Sequence, residues 1–206
     1  MFKKLFFDPG VIFLLLINIY CIYYYYNNPD QFNTIVILYW LQSILIGLFN
    51  FADLLTVKNA VPGSVNIGDK KIGSTSSGNR TLAFFFLLHY GFFHLVYGIF
   101  LYSFNDFIVD RHFIQIALAA FSLNLILDFA RQKQWESSHS VNMGVIFFLP
   151  YFRIVPMHIM IMLSVFLGLK AAIFLFLKTI ADVLMYVVTK RIHKRDLPIR
   201  SGYNNP

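Results

Sequence analysis

From Thr81 to Asn105 the chain contains no Asp, Glu, Lys or Arg. Most of that run, TLAFFFLLHYGFFHLVYGIFLYS (Thr81 to Ser103), spans about 35 Å as a helix, enough to cross a ~30 Å hydrocarbon core. Lipid offers nothing to hydrogen-bond the backbone, so a segment of this kind must be helical. Five further apolar runs follow the same rule: about Gly10 to Tyr26, Thr34 to Leu55, Phe113 to Phe129, Val145 to Gly168 and Ala171 to Thr189. The expectation is an all-α, polytopic integral membrane protein with six transmembrane helices.

Composition agrees. Only 13% of residues are charged and 58% are hydrophobic, whereas soluble domains carry roughly 25% charged residues. The net charge of +7 would suggest nucleic acid in a soluble chain. Here the cations sit at the ends of apolar runs, where they set topology and meet anionic lipid, and there is no separate basic domain for DNA or RNA. Cys21 is the only cysteine, which excludes an intrachain disulfide and thiolate clusters.

The charges orient the bundle. With the N-terminus in the cytosol, inner segments hold 2, 4, 2 and 5 Lys/Arg residues, and outer loops hold 0, 1 and 1. Both termini are therefore expected in the cytosol, and the location is the inner (cytoplasmic) membrane. No small-x-small cleavage site follows the first run, so it reads as an uncleaved span. Asp8-Pro9 suits its helix start. The whole of 1–206 reads as one transmembrane domain. About 56–80, rich in Gly, Ser, Asn and Lys, is expected to be a mobile cytosolic loop, and about 190–206 a basic cytosolic tail. Asn79-Arg80-Thr81 is then a cytosolic, unused sequon. Pro150, Arg153 and Pro156 interrupt the fifth run, which is read as a kinked span rather than an interfacial helix and a short span.

Ionisable residues at membrane depth normally face protein and mark function. The third run carries His89 and His94, five residues and about 140° apart, so one helix face cannot present both. Gly91, His94 and Gly98 share a face, which suits close helix approach around a hydrogen-bonding histidine. The sixth run carries Lys178 and Asp182, an i,i+4 pair continued by Tyr186. Counting rise per residue puts His89, His94, Arg153, His158, Gln42, Lys178 and Asp182 near mid-membrane. The candidate catalytic or proton-handling set is His94, His158, Arg153, Lys178 and Asp182. The candidate metal ligands are His89, His94, His158 and Asp182, which would suit a transition metal. Asp182 has two candidate partners, Lys178 and Arg153. Gln42, Ile46, Asn50 and Asp53 form a stripe on the second run; Asn124 and Asp128 end the fourth, with Asp128 read as solvated.

Four blocks carry a resemblance: YWLQSILIGLFN (Tyr39 to Asn50), FFLLHYGFFHLVYGIF (Phe85 to Phe100), RIVPMH (Arg153 to His158) and LKTIADV (Leu177 to Val183). In these the chain resembles a bacterial multi-pass membrane family, the domain of unknown function 6498, from Asp8 to about Thr189. The resemblance implies Glu where this chain has Gln42, and often a His near Tyr186. Both departures remove potential ligands. It implies no activity.

Three functions remain open: an intramembrane polar site handling a metal or protons; a channel or carrier for a small ion or solute; and a structural or assembly protein whose polar core only specifies packing. A rhomboid-type protease shares the expected topology, but no Gly-x-Ser-Gly occurs, nor His-Glu-x-x-His, nor a phosphate-binding Gly loop. The lipid bilayer is the expected partner, with anionic lipid on the cytosolic face, and a homo-oligomer is left open.

Overall fold

The computed structural model of the protein describes residues 9–61, 64–67, 70–72, 76–104, 109–152, 154 and 171–195. Six helices are present among them: α1 (Pro9–Asn27), α2 (Phe32–Thr56), α3 (Ser76–Phe104), α4 (Arg111–Glu136), α5 (Met143–Phe152) and α6 (Ala171–Arg195). The first four are long and apolar enough to cross a membrane. Pro9 opens α1 as expected; Asp8 lies outside the described residues. Of the fifth run, α5 covers the first part, and Arg153, Pro156 and His158 lie outside the described residues.

A 3₁₀ turn, Pro29–Gln31, joins α1 to α2. Its partner at the same end is Asp110, whose carboxylate accepts the Phe113 N–H at 3.0 Å and so caps α4. The Tyr24 hydroxyl donates to that carboxylate at 3.0 Å, and the Asp110 N–H donates to Thr34 Oγ1 at 3.0 Å. One acidic residue thus ties α1, α2 and α4 together. Phe113 stacks on Tyr24 with ring centres 3.7 Å apart.

α2 lies at the centre, packed on α3 and α4, while α1 packs on α6 and α4. Two apolar cores result. One joins Ile17, Cys21, Leu38, Tyr39, Tyr97, Phe113, Phe121 and Leu175, drawn from α1, α2, α3, α4 and α6. The other joins Leu54, Leu82, Phe86, Tyr90, Met143, Ile146 and Phe147 around α5. The opposite face of α3 presents Phe84, Phe85, Leu88, Phe92, Leu95 and Ile99 outward. An exposed face this apolar suits lipid as its solvent.

Between α2 and α3, close helix approach depends on Gly47 and Gly98. A Cβ at Gly47 would collide with the Tyr90 ring, and one at Gly98 would lie 2.8 Å from Trp40 Cζ2. At Gly91 nothing lies within 4 Å. The small-residue contact is therefore made by Gly47 of α2 and Gly98 of α3, with no part for Gly91. His94 faces α2 between them.

Two short strands lie within the Gly/Ser/Asn/Lys stretch after α2. Val65–Ile67 (β1) and Lys70–Ile72 (β2) pair as an antiparallel hairpin with Asn66 opposite Lys71. Just before it, Ala60 bridges in parallel to Val141; the Val61 N–H donates to Val141 O at 2.9 Å and the Val141 N–H to Asn59 O at 2.8 Å. Buried Val141 draws the segment against the bundle.

Candidate functional site

α2 supplies the inner wall of the site. Tyr39, Gln42, Ser43 and Asp53 fall within about 100° of its circumference at 3.6 residues per turn, and all four are buried. Polar groups from other helices meet this stripe at three levels.

The first is the Lys178 centre. Lys178 Nζ lies 2.6 Å from Asp182 Oδ2, with the two residues only 6% and 4% exposed. Of the two partners expected for Asp182, Lys178 is therefore in place; Arg153 lies outside the described residues. Asn18 of α1 completes the group. Its Oδ1 accepts from Lys178 Nζ at 3.0 Å, and its Nδ2 donates to Asp182 Oδ2 at 3.3 Å and to Leu14 O at 2.9 Å. The ammonium also sits 3.7 Å from the centre of the Tyr39 ring, where the π-face attracts a cation. A charge at the bilayer centre costs about 3 kcal/mol on insertion scales. Each charge of the pair is met by an opposite charge and an amide.

The second is the His94 centre. Nδ1 of His94 lies 3.0 Å from the Tyr90 carbonyl, and Nε2 lies 3.0 Å from Ser43 Oγ. A carbonyl only accepts, so Nδ1 carries the hydrogen and, in the neutral ring, Nε2 accepts from the serine. The Tyr90 hydroxyl is 2.9 Å from the Ser43 carbonyl, to which it donates, and 3.1 Å from Ser43 Oγ. Trp40 Nε1 donates to the His94 carbonyl at 3.2 Å, and the Tyr90 and His94 rings stack at 4.4 Å.

His89 turns elsewhere, as the 140° separation requires. It is exposed, lies 2.7 Å through Nδ1 from the Tyr151 hydroxyl of α5, and stacks on Phe85. The three described candidate ligands thus engage different partners: His89 Tyr151, His94 Ser43, and Asp182 Lys178. His158 lies outside the described residues. Among the described residues no group of three His, Cys, Asp or Glu side chains is arranged to hold a metal.

The third level lies where α2 and α4 end. Lys133 Nζ pairs with Asp53 Oδ1, and with Glu136 Oε2 at 2.7 Å. Gln132 Nε2 donates to Asp53 Oδ2 at 2.6 Å and to Glu136 Oε1 at 3.0 Å. Asn59 Nδ2 donates to the Glu136 carbonyl at 3.1 Å, which links the network to the segment before the hairpin. Sequence reasoning missed this network, counting Lys133 only as a topology charge. Glu136, buried at the end of an otherwise basic turn, was the available signal.

Asn18, Ser43 and Tyr90 were missed as well. Asp128 is half-buried rather than freely solvated: Asn124 Nδ2 donates to it at 3.2 Å, and Arg131 pairs with it at 3.2 Å.

Residues 2–197 match a family of unknown function, DUF6498. The chain belongs to that family. The resemblance carried by the four blocks is therefore sound, and DUF6498 covers every helix described above. Comparison with curated proteins and with solved structures returned no match. DUF6498 membership brings no activity with it, so the chemistry rests on the residues.

Proposed function

We propose that the protein is a six-span protein of the cytoplasmic membrane, with both termini in the cytosol, whose interior handles protons at Lys178, Asp182 and Asn18. Four helices long and apolar enough to cross support the topology. So does the length of α6, whose 25 residues span roughly 37 Å. The thirteen inner against two outer Lys/Arg residues support the orientation.

The observation that carries the functional reading is the buried 2.6 Å contact between Lys178 and Asp182. In a medium of low dielectric an ion pair and its neutral counterpart, amine and carboxylic acid, differ by one short proton transfer. Asn18 can serve both forms, since its Oδ1 accepts from ammonium or amine and its Nδ2 donates to either carboxyl state. A proton can therefore be held here without leaving a polar group bare.

The test is proton flux into proteoliposomes carrying a trapped pH dye and a potassium-clamped potential. Wild-type protein should pass protons, and Asp182→Asn should not. A fully inert wild type would favour the second reading, a packing core, which the pairing of Lys178 with Asp182 and Asn18 also suits.

A further inference from the structure

His94 is tied to a serine and a tyrosine in a way that fixes one ring nitrogen and leaves the other reversible. Nδ1–H is committed to the Tyr90 carbonyl. Nε2 faces Ser43 Oγ at 3.0 Å, and that hydroxyl has a second neighbour, Tyr90 Oη, at 3.1 Å. Tyr90 Oη in turn has the Ser43 carbonyl at 2.9 Å.

Follow the hydrogens in both charge states. With neutral His94, Ser43 donates to Nε2 and Tyr90 donates to the Ser43 carbonyl. Add a proton to Nε2 and that nitrogen becomes the donor to Ser43 Oγ. The serine hydrogen then swings to Tyr90 Oη, and the tyrosine hydrogen stays on the Ser43 carbonyl. Every donor keeps an acceptor in both states, with no heavy atom moved. The imidazolium is also stacked on the Tyr90 ring. A histidine kept only for packing has no need of such a pair of arrangements; a single fixed donor and acceptor would serve.

We infer that His94, Ser43 and Tyr90 form a proton-binding relay in which the serine hydroxyl reverses direction when His94 is charged. The inference rests on the reading of the interior as proton-handling and assigns a second station to it, on the α3 side of α2. Tyr39, against Lys178, and Ser43, against His94, are one turn apart on α2, so both stations share one helix face. The groups that face His94 include Tyr90 on its own helix and Ser43 with Trp40 from α2. Tyr151 of α5 lies behind, 5.8 Å from the Tyr90 ring.

The test is ¹⁵N-histidine NMR of the full-length chain in lipid, with the His94 signals assigned by their loss in His94→Gln. Neutral His94 should show hydrogen on Nδ1 alone, and acidification should add it on Nε2. Tyr90→Phe removes the acceptor needed only in the charged state. It should lower the ratio of imidazolium to imidazole at a given pH about tenfold, the cost of leaving the buried serine hydroxyl without its acceptor. Ser43→Thr, which keeps the hydroxyl, should titrate like wild type and guards against a folding artefact. Hydrogen on Nε2 in the neutral form, or a Tyr90→Phe titration that matches wild type, overturns the relay. Because His94 is read directly, its titration stands or falls separately from the flux assay. A titrating relay without flux would sink only the function proposed above.

Discussion

Asn18 of α1 accepts a hydrogen bond from Lys178 and donates one to Asp182, one helical turn apart on α6. A single amide therefore matches both ends of a buried ion pair and fixes the register of two helices separated by about 160 residues. The stability of the bundle and the proton chemistry proposed for it rest on the same contact.

Breaking that pair from one side should be far worse than removing it whole. Lys178→Met alone, or Asp182→Leu alone, removes one member of a buried ion pair and should cost about 3–5 kcal/mol. The double variant should recover most of the loss while abolishing proton flux. Unfolding in mixed micelles measures the first part, and proteoliposomes the second.

Gln42 behaves in the opposite sense. It is buried, and its Nε2 has no hydrogen-bond partner among the described residues. Gln42→Leu removes an unsatisfied donor at similar volume and should stabilise by about 1 kcal/mol. Asn18→Leu, at a fully bonded site, should destabilise in the same assay.

Gly47→Ala and Gly91→Ala form a matched pair. At Gly47 the new methyl meets the Tyr90 ring, so the change should cost about 1–3 kcal/mol and disturb the His94 signals. At Gly91 the methyl enters open space, and the gain in helix propensity should leave stability equal or higher by up to about 1 kcal/mol.

Asp110 gives a pH dependence at the α4 cap. The Phe113 N–H, aided by the Tyr24 hydroxyl, holds its carboxyl below the usual value of 3.8. A depressed folded value means that the cap contributes its full stability above the unfolded value, and loses it as pH falls through the folded one. Asp110→Ala should cost about 1 kcal/mol at neutral pH. The difference from wild type should close in acid, as read by unfolding at a series of pH values.

How much of this was legible follows from where each signal lives in the chain. The apolar runs gave α1 to α4 to within a few residues at most ends, since lipid demands continuous hydrophobic length. The largest misses were the start of α3, at Ser76 rather than Thr81, and the end of α4, at Glu136 rather than Phe129. There the polar first or last turns are held by hydrogen bonds such as Asn79 to the Val57 carbonyl and Gln132 to Glu136, which hydropathy does not record. Lys178 and Asp182 declared themselves by i,i+4 spacing on one helix. Asn18 did not, because its partners lie on α6. Ser43 was hidden for a related reason: one small hydroxyl is unremarkable until a histidine from another helix meets it. The strand pairing of Val65–Ile67 with Lys70–Ile72 was invisible to composition, and the segment just before it is bonded to Val141, far along the chain.

The most direct test of the account is whether Asp182 exchanges a proton inside the folded protein. Infrared difference spectra of the reconstituted chain, taken on acidification, should contain a protonated-carboxyl stretch that disappears in Asp182→Asn and shifts in Asn18→Val. Identical carboxyl bands in wild type and Asp182→Asn, wherever the protein stays folded, would mean that Asp182 never takes a proton. The buried pair would then be a fastening and nothing more.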